Sequence, residues 1–321
     1  MPDAVIVSAV RTAVGRGKAD GSLAAVHPID LSALVIQEAV KRANVDARDI
    51  DDVLWGCAMP EGSQGLNVAR LAVLRARLPV QVPAATVNRF CSSGLQTVAG
   101  AAQSIMSGMA DVVIAGGVEM MSQVPMSGWH TRLHPAMTES MISMGHTAER
   151  VADRWKVSRE NQDAYALDSH RKAAAAIAAG RFDDQIVPVP VQRVRWTGSS
   201  KQVEEGHFAV DELVRTDTTL ERLAKLKPAF KQGGSVTAGN ASPYSDGAAA
   251  VVVVSSDYAR AHGLPVLARF LTFAAAGVEP DIMGVGPVQA VPKALKRAGL
   301  ALSDIALIEF NEAFASQALA V

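Results

Sequence analysis

The 321-residue sequence predicts an α/β protein in which helices cover both faces of a mixed sheet. Short β-branched runs alternate along the chain with alanine-rich amphipathic stretches. Those runs are apolar at successive residues rather than at every second one, the pattern of strands buried on both faces. Hydrophobic residues make up 49% of the chain and charged residues 20%, which supports a large core and argues against disorder.

The first strand is expected over residues 5–10 and the first helix over 31–43. A second strand follows at 52–56, and Thr86-Val87-Asn88 leads into an apolar helix over 95–106. Residues 111–117 read as a buried strand closed by Gly116 and Gly117. From Val118 to about Ser245 the composition changes. Met120, Met121, Met126, Met137, Met141 and Met144 crowd this stretch, and its helices are expected at 147–155 and 159–179, ending at Gly180. This stretch reads as a large insertion. Strand character resumes at 247–254, with a short helix at 256–261 and a break at Gly263-Leu264-Pro265. A further unit then begins, with a strand at 266–275, a helix at 288–298 and a strand at 305–309. A single core rarely grows beyond ~250–300 residues, so more than one domain is expected. The divisions are 1–118 with 246–265, then 119–245, then 266–321.

With 31 basic and 32 acidic residues the net charge is −1, which calls for neither nucleic acid nor an anionic membrane as partner. The two cysteines, Cys57 and Cys91, do not make a disulfide scaffold or a cysteine-rich metal site. Residues 1–30 hold Arg11, Arg16, Lys18 and Asp20 without an apolar segment of signal-peptide length. No run reaches the ~18 apolar residues of a membrane span. A soluble cytoplasmic protein is expected.

Chemistry concentrates at Asn88-Arg89-Phe90-Cys91-Ser92-Ser93-Gly94. A thiol at a helix N-terminus meets unpaired N–H groups and the positive end of the helix dipole, which favour the nucleophilic thiolate. Gly94 leaves the backbone bare for an acyl group. The same local sequence also fits a small buried apolar cysteine, and both readings stand on these residues alone.

The motif resembles the nucleophile motif of the thiolases, which make or cleave 3-ketoacyl-CoA. Further blocks agree in the family's order: Gly116-Gly117-Val118-Glu119-Met120-Met121-Ser122, Ser143-Met144-Gly145-His146-Thr147-Ala148-Glu149, Val236-Thr237-Ala238-Gly239-Asn240-Ala241-Ser242 with Ser245-Asp246-Gly247-Ala248-Ala249, and Asn311-Glu312-Ala313-Phe314-Ala315. Val7-Ser8-Ala9-Val10-Arg11-Thr12 also fits. The resemblance implies the thiolase fold, layered α-β-α-β-α with two pseudo-repeated mixed-sheet domains, the second incomplete here. It makes Cys91 the carrier of an acyl thioester, with its backbone N–H in one oxyanion hole and Asn311 orienting a water for the other. Residues 119–245 would cover coenzyme A, which is a substrate and not a prosthetic group, and no metal is implied. Its contacts would fall at Met144, Arg215, Phe230, Ala241 and Ser242, with Met283 and Phe314 lining the pantetheine tunnel. Arg215 would pair with a phosphate and Ser242 with a pantetheine amide.

Ser143 stands where short-chain biosynthetic members often carry histidine, which fits degradative use in fatty-acid β-oxidation. A homodimer or homotetramer is implied, with the apolar run 71–74 and Leu78 buried between subunits. The family's Gly-His-Pro and Cys-Gly-Gly-Gly blocks are missing, and His130, His134, His146, His170, His207 and His262 lie in no such motif. Two readings follow: a thiolase whose sequence lacks its last half-domain, or a catalytically dead subunit that binds acyl-CoA or a partner. A ketoacyl synthase is a weaker rival, because its carrier-protein substrate needs no such insertion. Little turnover is expected of the chain as written.

Overall fold

The computed structural model describes residues 2–126, 128–129, 132–197 and 200–321. Its strands are β1 (Ala4–Arg11), β2 (Gly15–Arg16), β3 (Asp52–Gly56), β4 (Ala84–Val87), β5 (Val112–Met120), β6 (Val189–Thr197), β7 (Ser200–Phe208), β8 (Ser245–Ser255) and β9 (Ala268–Arg269). The helices are α1 (Pro28–Ala43), α2 (Val68–Arg75), α3 (Ser93–Met106), α4 (Met144–Trp155), α5 (Arg159–Ala178), α6 (Leu220–Ala224), α7 (Ser256–Ala261), α8 (Gly286–Ala298) and α9 (Ala315–Ala320). The chain divides into two compact units. The first comprises Met1–Thr131, Phe182–Leu213 and Tyr244–Phe270, and the second Arg132–Arg181, Val214–Pro243 and Leu271–Val321. No helix among the described residues is long and apolar enough to cross a membrane.

In the first unit the sheet order is β4-β3-β5-β8-β1-β9, with β2 beside β8. β3 runs parallel to β4 and β5, whereas β8 is antiparallel to both β5 and β1, so the sheet is mixed. Five strands of four or more residues form its body, and two two-residue strands extend it. Alternate residues of each strand face opposite sides. Val112, Ile114, Val252 and Val254 pack with Leu31, Val35 and Ile36 of α1 and with Val68 and Val73 of α2. Val113, Ala115 and Val253 meet Ala101, Ala102 and Ile105 of α3 on the other side. Each such fully buried Val, Leu or Ile contributes about 1.5–3 kcal/mol. Trp55 is fully buried, and its indole N–H donates to Ser32 Oγ at 3.1 Å. Ala72 and Val73 are likewise fully buried in this core, so they are not available to a subunit interface as the apolar run 71–74 had suggested. Leu74, at 47% exposure, is available.

Three glycines bring the layers together. A Cβ at Gly116 would lie 2.2 Å from the Ala249 carbonyl oxygen and 2.4 Å from Trp55 Cζ3. One at Gly117 would lie 2.7 Å from the Gly56 carbonyl oxygen, and one at Gly56 would lie 2.9 Å from Ser93 Cβ. The start of α3 therefore rests directly on the backbone of β3.

Residues 182–213 belong to the first unit through a polar clamp. Arg11 pairs with both carboxylate oxygens of Asp211, at 2.8 and 3.0 Å, and Asp211 also accepts the Val14 N–H at 2.8 Å. β6 and β7 form their own antiparallel sheet there.

The second unit is helical. α4 packs through Val151 against Ile282 and Val285, with Ala320 of α9 beside them. Two expected strands are corrected here. Of residues 266–275 only Ala268–Arg269 is a strand, and it pairs with Val5 and Ile6 of β1 in the first unit. Residues 305–309 form no strand. A strand needs a neighbour for its N–H and C=O groups, and among the described residues the second unit offers 305–309 no strand to pair with.

Gly116→Ala is expected to destabilise the protein by about 3 kcal/mol or more, because backbone and an immobile indole cannot yield. Urea unfolding followed by far-UV circular dichroism measures this, and a loss below about 1 kcal/mol would contradict the packing described.

Candidate active site

β4 delivers the chain to a 3₁₀ turn, Phe90–Ser92, which α3 continues from Ser93. The expected helix thus starts two residues earlier, and Cys91 sits in the turn before it. Phe90 has φ +46°, a left-handed conformation that costs a bulky residue roughly 1–3 kcal/mol. Hydrogen bonds hold it there. The Phe90 N–H donates to Asn88 Oδ1 at 2.8 Å, and Ser93 Oγ donates to the Phe90 carbonyl at 2.6 Å. Ser93 Oγ also accepts the Arg89 N–H at 2.9 Å. The turn presents Cys91 as an exposed residue. A Cβ at Gly94 would meet nothing within 4 Å, so the space at that position is open.

The thiol pKa is raised, not lowered as the helix N-terminus had suggested. Protein packed around the sulfur raises it, the Cys91 backbone N–H works the other way, and the Glu119 carboxylate adds to the rise. Lying before α3 instead of within its first turn, the sulfur gains too little from the helix to offset desolvation. Cys57 differs in kind: it is buried, and desolvation followed by Glu119 pushes its thiol up to about 12.

In the second unit, buried Glu149 of α4 accepts the Ser235 N–H at 3.0 Å and the Val236 N–H at 2.9 Å. Asn240 closes the next turn, accepting the Thr237 N–H at 2.8 Å and donating to Asp163 Oδ1 at 2.9 Å. The Asn240 carbonyl then accepts the Ala315 N–H at 2.9 Å, and the Ser242 N–H donates to the Ala313 carbonyl at 2.9 Å. Ala241 and Phe314 form an isolated β-bridge. The Phe314 ring stands edge-on to Phe230, with centroids 6.1 Å apart. Phe230 in turn lies over Gly145, where a Cβ would come within 2.1 Å of it. Phe230, Ala241, Ser242 and Phe314 are thereby brought together beside the start of α4, where Met144 is the first residue.

Asn311 is exposed at the head of this loop. Its neighbour Glu312 accepts from Tyr165 Oη at 2.8 Å and from Ser169 Oγ at 2.5 Å, both on α5. Burial and then Glu312 push the Tyr165 phenol up to about 12, which keeps it a donor. The Arg215 N–H donates to His170 Nδ1 at 3.2 Å, and burial, then the Arg215 charge, lowers the His170 pKa. Met283 is half exposed on the 3₁₀ segment Pro280–Val285. Among the described residues no hydrogen bond, ion pair or ring contact links Arg215 or Met283 to the Phe230–Phe314 cluster. His130 lies outside the described residues. Glu119, Glu149 and Glu312 have structural roles that no sequence signal beyond membership of the quoted blocks had marked.

The strained turn thus presents an exposed cysteine just ahead of α3. Comparison makes the class specific. Residues 4–257 match the thiolase N-terminal domain and residues 264–321 the thiolase C-terminal domain. The chain is 53% identical to a 3-ketoacyl-CoA thiolase of Bacillus subtilis (strain 168), over all of this chain and 83% of that one. It is 48% identical to an acetyl-CoA acetyltransferase of Pseudomonas aeruginosa, with the same coverage. The crystal structure of the Bacillus anthracis acetyl-CoA acetyltransferase superposes with a TM-score of 0.89 at 41% identity, over 100% of this chain and 82% of that one. The chain belongs to the thiolase family and has its fold.

Iodoacetamide at pH 8 is expected to label Cys91 and to leave Cys57 unmodified in the folded protein. The Cys91 rate should keep climbing through pH 9, because a raised pKa delays the thiolate. Peptide mapping of the labelled chain checks both points; a rate already level below pH 8 would mean the thiolate is favoured after all.

Proposed function

We propose that the protein is an acyl-CoA C-acyltransferase that works by a ping-pong route through a thioester on Cys91. The observation that supports this reading most is the exposed Cys91 beside the strained Phe90 in the turn before α3. A base must take the Cys91 proton, which the raised pKa makes necessary; by the family resemblance that base belongs to the Gly-His-Pro block, which this sequence does not contain. Sγ then adds to the thioester or ketone carbonyl, and the Cys91 N–H faces the developing oxyanion. Collapse forms the acyl-Cys91 thioester and expels CoA or the acetyl-CoA enolate, which takes up a proton. In the second half the CoA thiol or an acetyl-CoA enolate attacks that thioester and frees Cys91. Asn311 orients the water of the second oxyanion hole.

CoA is held as a substrate by Met144, Arg215, Phe230, Ala241 and Ser242, with Met283 and Phe314 along the pantetheine. The N-terminal thiolase domain is residues 1–118 with 246–265, residues 119–245 cover CoA, and residues 266–321 belong to the C-terminal domain. The reaction serves fatty-acid β-oxidation in the cytoplasm, in a homodimer or homotetramer.

Cys91→Ala is expected to abolish whatever acyl transfer the chain supports, and a trapped acyl group should map to Cys91 in the unaltered chain. An acyl group on Cys57 would refute the assignment. Asn311→Ala should cost roughly a hundredfold or more in turnover, by loss of one oxyanion element. Light scattering at micromolar concentration should report a dimer or larger, and a stable monomer would count against the assembly proposed.

A further inference from the structure

Glu119 takes no part in the route above, yet its carboxylate is linked to the Cys91 turn by an unbroken chain of hydrogen bonds. It is half-buried near the end of β5. Oε1 accepts from Gln64 Nε2 at 2.8 Å and Oε2 accepts the Ala58 N–H at 2.7 Å. Gln64 is fully buried and is fixed in turn, donating to the Met59 carbonyl at 2.8 Å and accepting the Met120 N–H. The carboxylate therefore cannot swing away without leaving buried polar groups unpaired. From Ala58 the chain continues, because its carbonyl accepts from Asn88 Nδ2 at 3.0 Å. Asn88 Oδ1 accepts the N–H of Phe90, the strained residue next to Cys91.

We propose that Glu119 is a positioning residue for Cys91, fixing the Phe90 turn through Ala58 and Asn88. This rests on Cys91 being the acyl carrier. The carboxylate raises the pKa of both cysteines, and Arg89, the cation on the same turn, is exposed to solvent. A nucleophile held protonated until a base acts is protected from stray electrophiles and oxidants between turnovers.

The test is the pH profile of Cys91 alkylation by iodoacetamide in the full chain, read by peptide mapping, with Glu119→Gln beside the wild type. Glutamine keeps a single acceptor and turns its NH2 toward either the Ala58 N–H or Gln64 Nε2, both donors, so Glu119→Gln removes the charge and loosens the hydrogen-bond chain in one step. The substitution is expected to displace the profile to lower pH and to speed alkylation at pH 7. An undisplaced profile overturns the proposal. Asn88→Ala breaks the chain at an exposed side chain and decides the matter if the Glu119 variant does not fold. Its midpoint should move toward that of an open cysteine, about 8.5, and an unmoved midpoint overturns the relay. Thiolysis that survives Cys91→Ala would remove Cys91 from the reaction while leaving the alkylation comparison readable, which separates the two ideas.

Discussion

Contact between bare backbones at the centre of the first sheet is the constraint on which the Cys91 turn depends. Gly56, Gly116 and Gly117 lack the one carbon that would hold β3, β5 and α3 apart. Their absence of side chain lets Ser93 settle on β3, and Thr97 Oγ1 donates to the carbonyls of Gly94 and Gly116 at 2.8 and 3.0 Å. The first turns of α3 are thereby fixed to the sheet by two independent means. The strain at Phe90 persists because both sides of the turn are already committed, to β4 before it and to the sheet after it.

In the second unit the organising groups are polar. Glu149, Asp163, Asn240 and Glu312 tie together segments that have little apolar area to bury, since the core there centres on Val151, Ile282 and Val285. Hydrogen bonds to charged acceptors give more directional control than burial does, and they tolerate few substitutions. This explains why the quoted blocks keep polar residues whose side chains touch no acyl group in the proposed reaction.

Much of the first unit was legible in the sequence. The uninterrupted apolar runs of β5 and β8 and the alanine-rich α3 follow from burial on both faces, and α7 falls at the residues expected. Residues 305–309 misled for a physical reason. Apolar β-branched character states what a segment can do, while a strand also requires a partner, which local pattern does not encode. The thiol misled in a related way. A motif places Cys91 beside a helix start, but the balance between helix N–H groups, desolvation and Glu119 is set by three-dimensional packing. The roles of Glu119 and Glu312 were hidden because their partners, Ala58, Gln64, Tyr165 and Ser169, are 55 to 147 residues away along the chain.

The buried Cys57 thiol has a consequence for the fold itself. In the native chain it keeps its proton until about pH 12, whereas in the unfolded chain it releases that proton near 9. Between those values the unfolded state binds fewer protons than the native one, so rising pH pulls the equilibrium toward unfolding. Below pH 9 both states hold the proton and the linkage vanishes. The buried Cys57 thiol thus takes stability from the first unit as the pH rises above 9, through the same desolvation that silences it as a nucleophile.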